Sequence, residues 1–180
     1  MKRLQRQIGF SLISVVLVAH LAPSVCGQQN SAAKASGSLT EVKDKRRALL
    51  LVFKSGVLDA SDQEHAIIDQ VLKADPQPKG RNMWAYTQLA RKLNSYIRKY
   101  RSLTPADDLS EADYVIYFDL IEFRRILNTV YPYGELFVIV KGSPESQTPP
   151  RIVWKAKKIL WAGDAIGQLI KDLKNLRGES

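Results

Sequence analysis

The apolar residues change period near Tyr114, from a helical to a strand-like spacing, and that change limits the chain to a small set of folds. From about Asn82 to Arg101, the residues Tyr86, Leu89, Ala90, Leu93, Ile97 and Tyr100 recur at steps of three and four, while Arg91, Lys92, Arg98 and Lys99 fill the remainder. That is the signature of a helix with one buried stripe. Beyond it come three runs rich in β-branched and aromatic residues, Tyr114 to Ile121, Glu135 to Lys141 and Arg151 to Trp161. Such runs predict strands. Tyr131-Pro-Tyr-Gly134 and the segment from Gly142 to Pro150 supply turn residues between them, so the three strands are expected to form an antiparallel meander.

Upstream, Ala48 to Phe53 is a short apolar run between Lys45-Arg46-Arg47 and Lys54-Ser55-Gly56, which predicts a buried strand. Ser61 and Glu64 have capping-box spacing and predict a helix whose apolar face is Ile67, Ile68, Val71 and Leu72. Two prolines and a glycine in Asp75-Pro-Gln-Pro-Lys-Gly80 end it. Near the carboxyl end, Asp164 is placed to cap a helix carrying Ile166, Leu169, Ile170, Leu173 and Leu176, and Gly178 is placed to stop it. The expected order is strand-helix-helix-strand-strand-strand-helix. It describes an α/β (α+β) domain with a single mixed four-stranded sheet packed against helices, the first strand joined to the second by a helical crossover. With the entry Ala112-Asp-Tyr-Val-Ile-Tyr-Phe118 into a central strand, this order resembles the small α/β domains of secreted or envelope-associated bacterial proteins, such as the TolB amino-terminal type, over about residues 47 to 177. The resemblance implies a fold and a compartment and assigns no functional residue.

The amino end supports export. Lys2, Arg3 and Arg6 precede an apolar run from Ile8 to Ala22, and a weakly polar end follows at Pro23-Ser-Val-Cys-Gly27. This is the plan of a signal peptide over residues 1–27, with cleavage after Gly27 or, alternatively, after Ser24. Lipid anchoring at Cys26 is the minor alternative, since Val25 and Pro23 stand where a lipoprotein site wants a small and an aliphatic residue. Residues 28–46 start polar and small and read as a flexible leader, leaving 47–180 as one domain. The 27 Lys and Arg of the chain less the three in the signal peptide leave 24 against 18 Asp and Glu, so the mature protein carries +6. Cleavage also removes the single cysteine, so an exported domain of this sequence must be held by its hydrophobic core and not by disulfides.

The inventory of reactive groups is narrow. Without cysteine and with His65 as its one histidine, the mature chain cannot build a thiol nucleophile or a multi-histidine zinc site. Gly-x-Ser-x-Gly, Gly-x-Gly-x-x-Gly and Gly-x-x-x-x-Gly-Lys are absent, so a serine-hydrolase elbow and nucleotide cradles lack their motifs. The expectation is no metal and no cofactor, with Asp59, Asp62, Glu64 and His65 read as a helix start. Paired-carboxylate hydrolysis is the alternative, drawn from Asp108, Glu111, Asp113, Asp119 and Glu122, among which Asp119 interrupts an otherwise apolar strand.

The binding residues expected from sequence are cations and exposed aromatics. They are Arg91, Lys92, Arg98 and Lys99 on one helix, Arg124-Arg125 beyond a strand, Lys155 and Lys157 on one strand face, and Tyr131 and Tyr133 in a proline-containing turn. A secreted +6 domain meets anionic lipid, cell-wall polymer or an acidic protein in preference to nucleic acid. The resulting expectation is an exported, non-catalytic envelope or secreted module that binds a protein partner or an anionic surface, with no transmembrane span after cleavage.

Overall fold

A computed structural model describes residues 36–54, 63–76, 80, 82–142 and 147–180. The signal peptide, Cys26, Asp59, Ser61 and Asp62 lie outside the described residues. Strand β1 (Arg47–Phe53) is apolar without alternation because both of its faces are covered, and five consecutive residues from Ala48 to Val52 are buried. It runs parallel to β3 (Tyr114–Ile126), with Ala48 beside Tyr114 and Phe53 beside Asp119. Between the two come helix α1 (Gln63–Lys73), helix α2 (Asn82–Tyr100) and the two-residue strand β2 (Thr104–Pro105), which pairs with the start of β1. The crossover expected from the sequence is therefore helical, as a parallel pair requires.

From β3 the chain turns back into β4 (Thr129–Val140), then β5 (Arg151–Lys155), both antiparallel to their neighbours. The sheet order is β2-β1-β3-β4-β5, with β6 (Leu160–Trp161) pairing to β4 at Tyr133 and Gly134. The sheet thus has six strands and not four. The two extra strands have two residues each, too short to leave a periodic signal. The expected strand from Arg151 to Trp161 is also broken, since Ala156 leaves the ladder and Lys157-Lys158 form a bend before β6.

Helices α2 and α3 (Ala162–Arg177) cover one face, where Leu50, Leu89, Leu93, Ile116, Phe118, Leu136, Val138, Ile166 and Leu169 form the larger core. Helix α1 covers part of the other, packing Ile67, Ile68 and Val71 on Leu49, Leu51, Val115, Tyr117, Phe137 and Ile139. The α2 stripe is shifted from the expected one: Ala85 and Tyr96 are buried with Leu89 and Leu93, whereas Tyr86, Ala90, Ile97 and Tyr100 flank them. Helix α3 starts after Trp161 with no side-chain cap, so Asp164 lies in the first turn, where its charge complements the helix dipole. Gly178 ends it in the left-handed conformation, φ 67°.

Residues 36–46, assigned above to a flexible leader, belong to the folded body. Ser38 and Glu41 form a capping box around a 3-10 turn (Leu39–Val42), Val42 is fully buried, and Glu41 is ion-paired to Arg151. The Gly37 amide donates to the Ile152 carbonyl at 2.9 Å along the outer edge of β5. Glu64 accepts from the Ile152 amide at 3.0 Å and from Ser36 Oγ at 2.5 Å, and Ser61, its expected capping partner, lies outside the described residues. An exposed sheet edge is an aggregation hazard, and here the leader and the first turn of α1 occupy it. Arg177 closes the other end, donating to the carbonyls of Ser102, Val42 and Lys45 at 3.0, 3.1 and 2.8 Å.

Candidate functional site

Strands β3 and β4 outrun the rest of the sheet. β1 stops beside Asp119, β5 stops beside Phe137, β6 reaches Tyr133, and beyond Tyr133 the two strands pair, among the described residues, only with each other. A bulge between Leu120 and Glu122 marks the point of departure. Gly134 lies opposite, where an added Cβ would fall 2.0 Å from the Asp119 carbonyl oxygen, so the close backbone approach admits no side chain. The bulge re-aims the outer hairpin: Phe123 turns toward α2 and stacks on Trp84 with ring centroids 6.0 Å apart.

The segment from Tyr131 to Gly134 is therefore strand, and the expected turn is displaced. The chain reverses at Leu127-Asn128, between the paired residues Ile126 and Thr129. Glycine at 134 serves the bulge, and proline is tolerated near bulges and open edges. Leu127 occupies the first turn position with φ 53°, in the region a two-residue hairpin normally gives to glycine, and its residue surface is 92% exposed.

Beside this turn a cleft of about 630 Å³ is lined by Trp84, Phe123, Asn128, Thr129 and Val130. Met83 (49% exposed), Trp84 (38%), Ile126 (47%), Leu127 (92%) and Val130 (37%) are the exposed large hydrophobic residues among those described, and all of them lie on the outer hairpin or the first turn of α2. Scattered exposed hydrophobics need no explanation, but their collection at one end of a molecule marks an interaction surface.

Cations and phenols surround that apolar end. Arg124 is ion-paired to Glu122, which raises its pKa, and its guanidinium lies 3.8 Å from the centre of the Tyr133 ring. Tyr133 and Tyr131 pack on Trp161 at centroid distances of 4.9 and 5.4 Å, so both are half-buried strand residues and not an exposed turn. Arg125 is exposed and pairs in register with Val130, which puts it on the Phe123 side of the hairpin. Four of the residues expected from sequence, Arg124, Arg125, Tyr131 and Tyr133, are thus brought together.

The remaining six are not gathered there. Lys92 donates to the Gly163 carbonyl at 2.6 Å and ties α2 to the start of α3. Lys99 lies 4.7 Å from the Tyr100 ring centre and Lys174 5.2 Å from it; the two ammonium groups pull the Tyr100 hydroxyl pKa down. Arg91 and Arg98 are exposed on α2, and Lys157 is exposed in the bend before β6. Lys155 points into the sheet face. Its Nζ is 3.2 Å from Glu135 Oε1, with side-chain exposures of 16% and 7%, so Lys155 and Lys157 do not form one basic strand face.

Most of the carboxylates considered for hydrolysis hold the backbone or a cation. Asp108 accepts from the amides of Ser110 and Glu111 at 2.7 and 3.0 Å, Asp113 accepts from those of Arg46 and Arg47 at 2.9 and 2.8 Å, and Glu111 pairs with Arg47 at 2.7 Å. Asp119 lies directly across from Glu135 in the β3–β4 register, next to the Glu135–Lys155 pair. Among the described residues no group of three or more His, Cys, Asp and Glu could hold a metal, and His65 is an exposed residue of α1.

Sequence reasoning missed Met83, Trp84, Phe123, Ile126, Leu127 and Val130. A signal was present: Trp84 heads the helical row Gln88, Arg91 and Ser95, where an aromatic has no core to join, and Ile126-Leu127-Asn128 is an apolar turn without glycine. Comparison with known proteins found no family model, no curated protein and no solved structure that matches the chain.

Proposed function

We propose that the protein is an exported, non-catalytic binding module of the cell envelope or the secreted space, and that it engages its partner through the outer β3–β4 hairpin and the first turn of α2. The observation that carries this reading is the collection of Met83, Trp84, Ile126, Leu127 and Val130, all exposed, at one end of the molecule. Leaving such side chains in water forgoes stabilisation of roughly 1.5 to 3 kcal/mol for each fully buried aliphatic. The left-handed backbone of Leu127 adds a local cost at a residue that is 92% exposed, and such strain concentrates at functional positions.

The basic start, apolar run and polar end of residues 1–27 support export, as does the resemblance in element order to envelope domains of the TolB amino-terminal type. No helix among the described residues is long and apolar enough to cross a membrane, which agrees with a module that docks and does not span.

Retention in the envelope tests the proposal. Ile126→Ser with Leu127→Ser is expected to fold normally and to be released from whatever fraction holds the wild type. Arg91→Gln with Arg98→Gln, on α2, is expected to be retained. Equal retention of the hairpin variant would remove the hairpin from the account.

A further inference from the structure

Resting on the reading of the outer hairpin as the docking end, we propose that its partner is an anionic bilayer surface, into which the Leu127 turn inserts while Arg125 meets lipid phosphates.

The turn is convex, and its most projecting side chain, Leu127, is 92% exposed. The cations stand directly behind it. Arg125 and Arg124 precede Leu127 by two and three residues, which at the rise of a strand places them about 7 to 10 Å back. Interfacial segments bury their apolar parts about 5 to 10 Å into the boundary between headgroups and acyl chains. A Leu127 side chain at that boundary therefore puts the backbone of Arg125 at the level of the phosphates, while the Arg124 guanidinium, held on Glu122 and over the Tyr133 ring, lies further back.

The charge of the end suits such a surface. From Phe123 through Gly134 the sequence carries Arg124 and Arg125 and no acidic residue, and the acids that border the segment, Glu122 and Glu135, are paired to Arg124 and Lys155. Tyr131, Tyr133 and Trp84, each with an apolar body and a polar tip, lie on the same end, and such rings favour the headgroup layer. Insertion must be shallow. Beyond the turn the strands expose edge amides and carbonyls, which cannot enter hydrocarbon without partners. A protein groove could accept the apolar turn, but it would not require a cation one headgroup depth behind it, and the spacing of Arg125 from Leu127 favours the bilayer.

The test uses the chain from Gln28, which keeps every described residue and removes the apolar run of residues 1–27, itself able to bind lipid. Cosedimentation is measured with vesicles of phosphatidylcholine alone and of equal parts phosphatidylcholine and phosphatidylglycerol. Binding is expected only to the anionic vesicles and is expected to weaken as salt is raised. Arg125→Gln is expected to reduce it about fivefold, the effect of one cation near such a surface. Leu127→Ser is expected to reduce it about tenfold or more. Arg91→Gln with Arg98→Gln is expected to leave it within about twofold.

This chain has no cysteine, so Leu127→Cys carries an environment-sensitive NBD label at one position only. Its fluorescence is expected to rise on anionic vesicles, whereas a label on Asn94→Cys is expected to stay unchanged. Absence of vesicle binding, or binding that survives Leu127→Ser and fails with the α2 variant, overturns the bilayer assignment. A photoreactive residue at position 127 separates the two levels of the account: crosslinks to a protein with no vesicle binding overturn the bilayer and leave the docking end standing, while no crosslink to lipid or protein removes both.

Discussion

At the scale of single residues, the polar groups that matter to the fold are those the sequence offers as surface. Lys155 reads as a strand-borne cation available to a ligand, yet its ammonium lies against Glu135 at 3.2 Å with both side chains largely covered. Lys155→Met leaves a buried carboxylate without its counter-charge and is expected to cost about 3 to 5 kcal/mol in denaturant unfolding. Adding Glu135→Leu should recover most of that loss, because removing both partners also removes their desolvation penalty. A double variant as unstable as the single would show that packing, and not the pair, sets the cost. Glu41 gives a pH dependence of defined sign. Its hydrogen bond from Arg151 holds its carboxyl below the 4.5 of an ordinary glutamate, more than offsetting partial burial. A carboxyl lowered in the folded state binds its proton more readily when unfolded. The stability it contributes is therefore complete above 4.5 and is lost as pH falls through the folded-state value. Glu41→Gln is expected to be less stable than wild type at neutral pH, with the difference shrinking on acidification. A gap that stays constant from neutral to acid pH would contradict this.

At the scale of elements, period and breakers located most of the secondary structure, and turn chemistry misplaced one end of it. The α2 segment and the closing helix declare themselves because a 3.6-residue period over four turns is hard to mistake. Tyr131-Pro-Tyr-Gly134 looks like a turn because proline and glycine usually make one, whereas Gly134 is needed where the Asp119 carbonyl comes within 2.0 Å of the absent Cβ. That requirement comes from a partner strand 15 residues away and leaves no local trace. The true turn at Leu127-Asn128 defeats composition, since Leu127 has the backbone of a glycine and the side chain of a core residue. Leu127→Gly suits that φ and should leave the melting temperature unchanged or raise it, by up to about 1 kcal/mol of stability, while weakening retention in the envelope. A residue kept for folding would behave in the opposite way, losing stability on that change.

At the scale of the whole molecule, the absence of cysteine from residues 28–180 predicts a domain held by apolar burial, and the sheet is covered on one face by α2 and α3 and in part on the other by α1. Element order and the parallel crossover were legible, because each long element carries its own pattern. β2 and β6 were not, since strands of two residues have no period, and the ordered leader was not, because Ser38, Glu41 and Val42 become informative only once Arg151 and the β5 edge stand beside them. The same limit applied to the docking end. Its residues come from α2, β3, β4 and the turn, and the cations expected on one helix, beyond one strand and on another strand's face are divided between that end, the α2–α3 seam and the sheet interior. The most direct measurement is site-specific photocrosslinking of the protein in its own envelope, with the reactive side chain at position 127 or, as an exposed control on α2, at position 94. Adducts formed at 127 and absent at 94 are the predicted result. Adducts at 94 with none at 127 would place the interaction on the face of α2 and contradict the assignment of the hairpin.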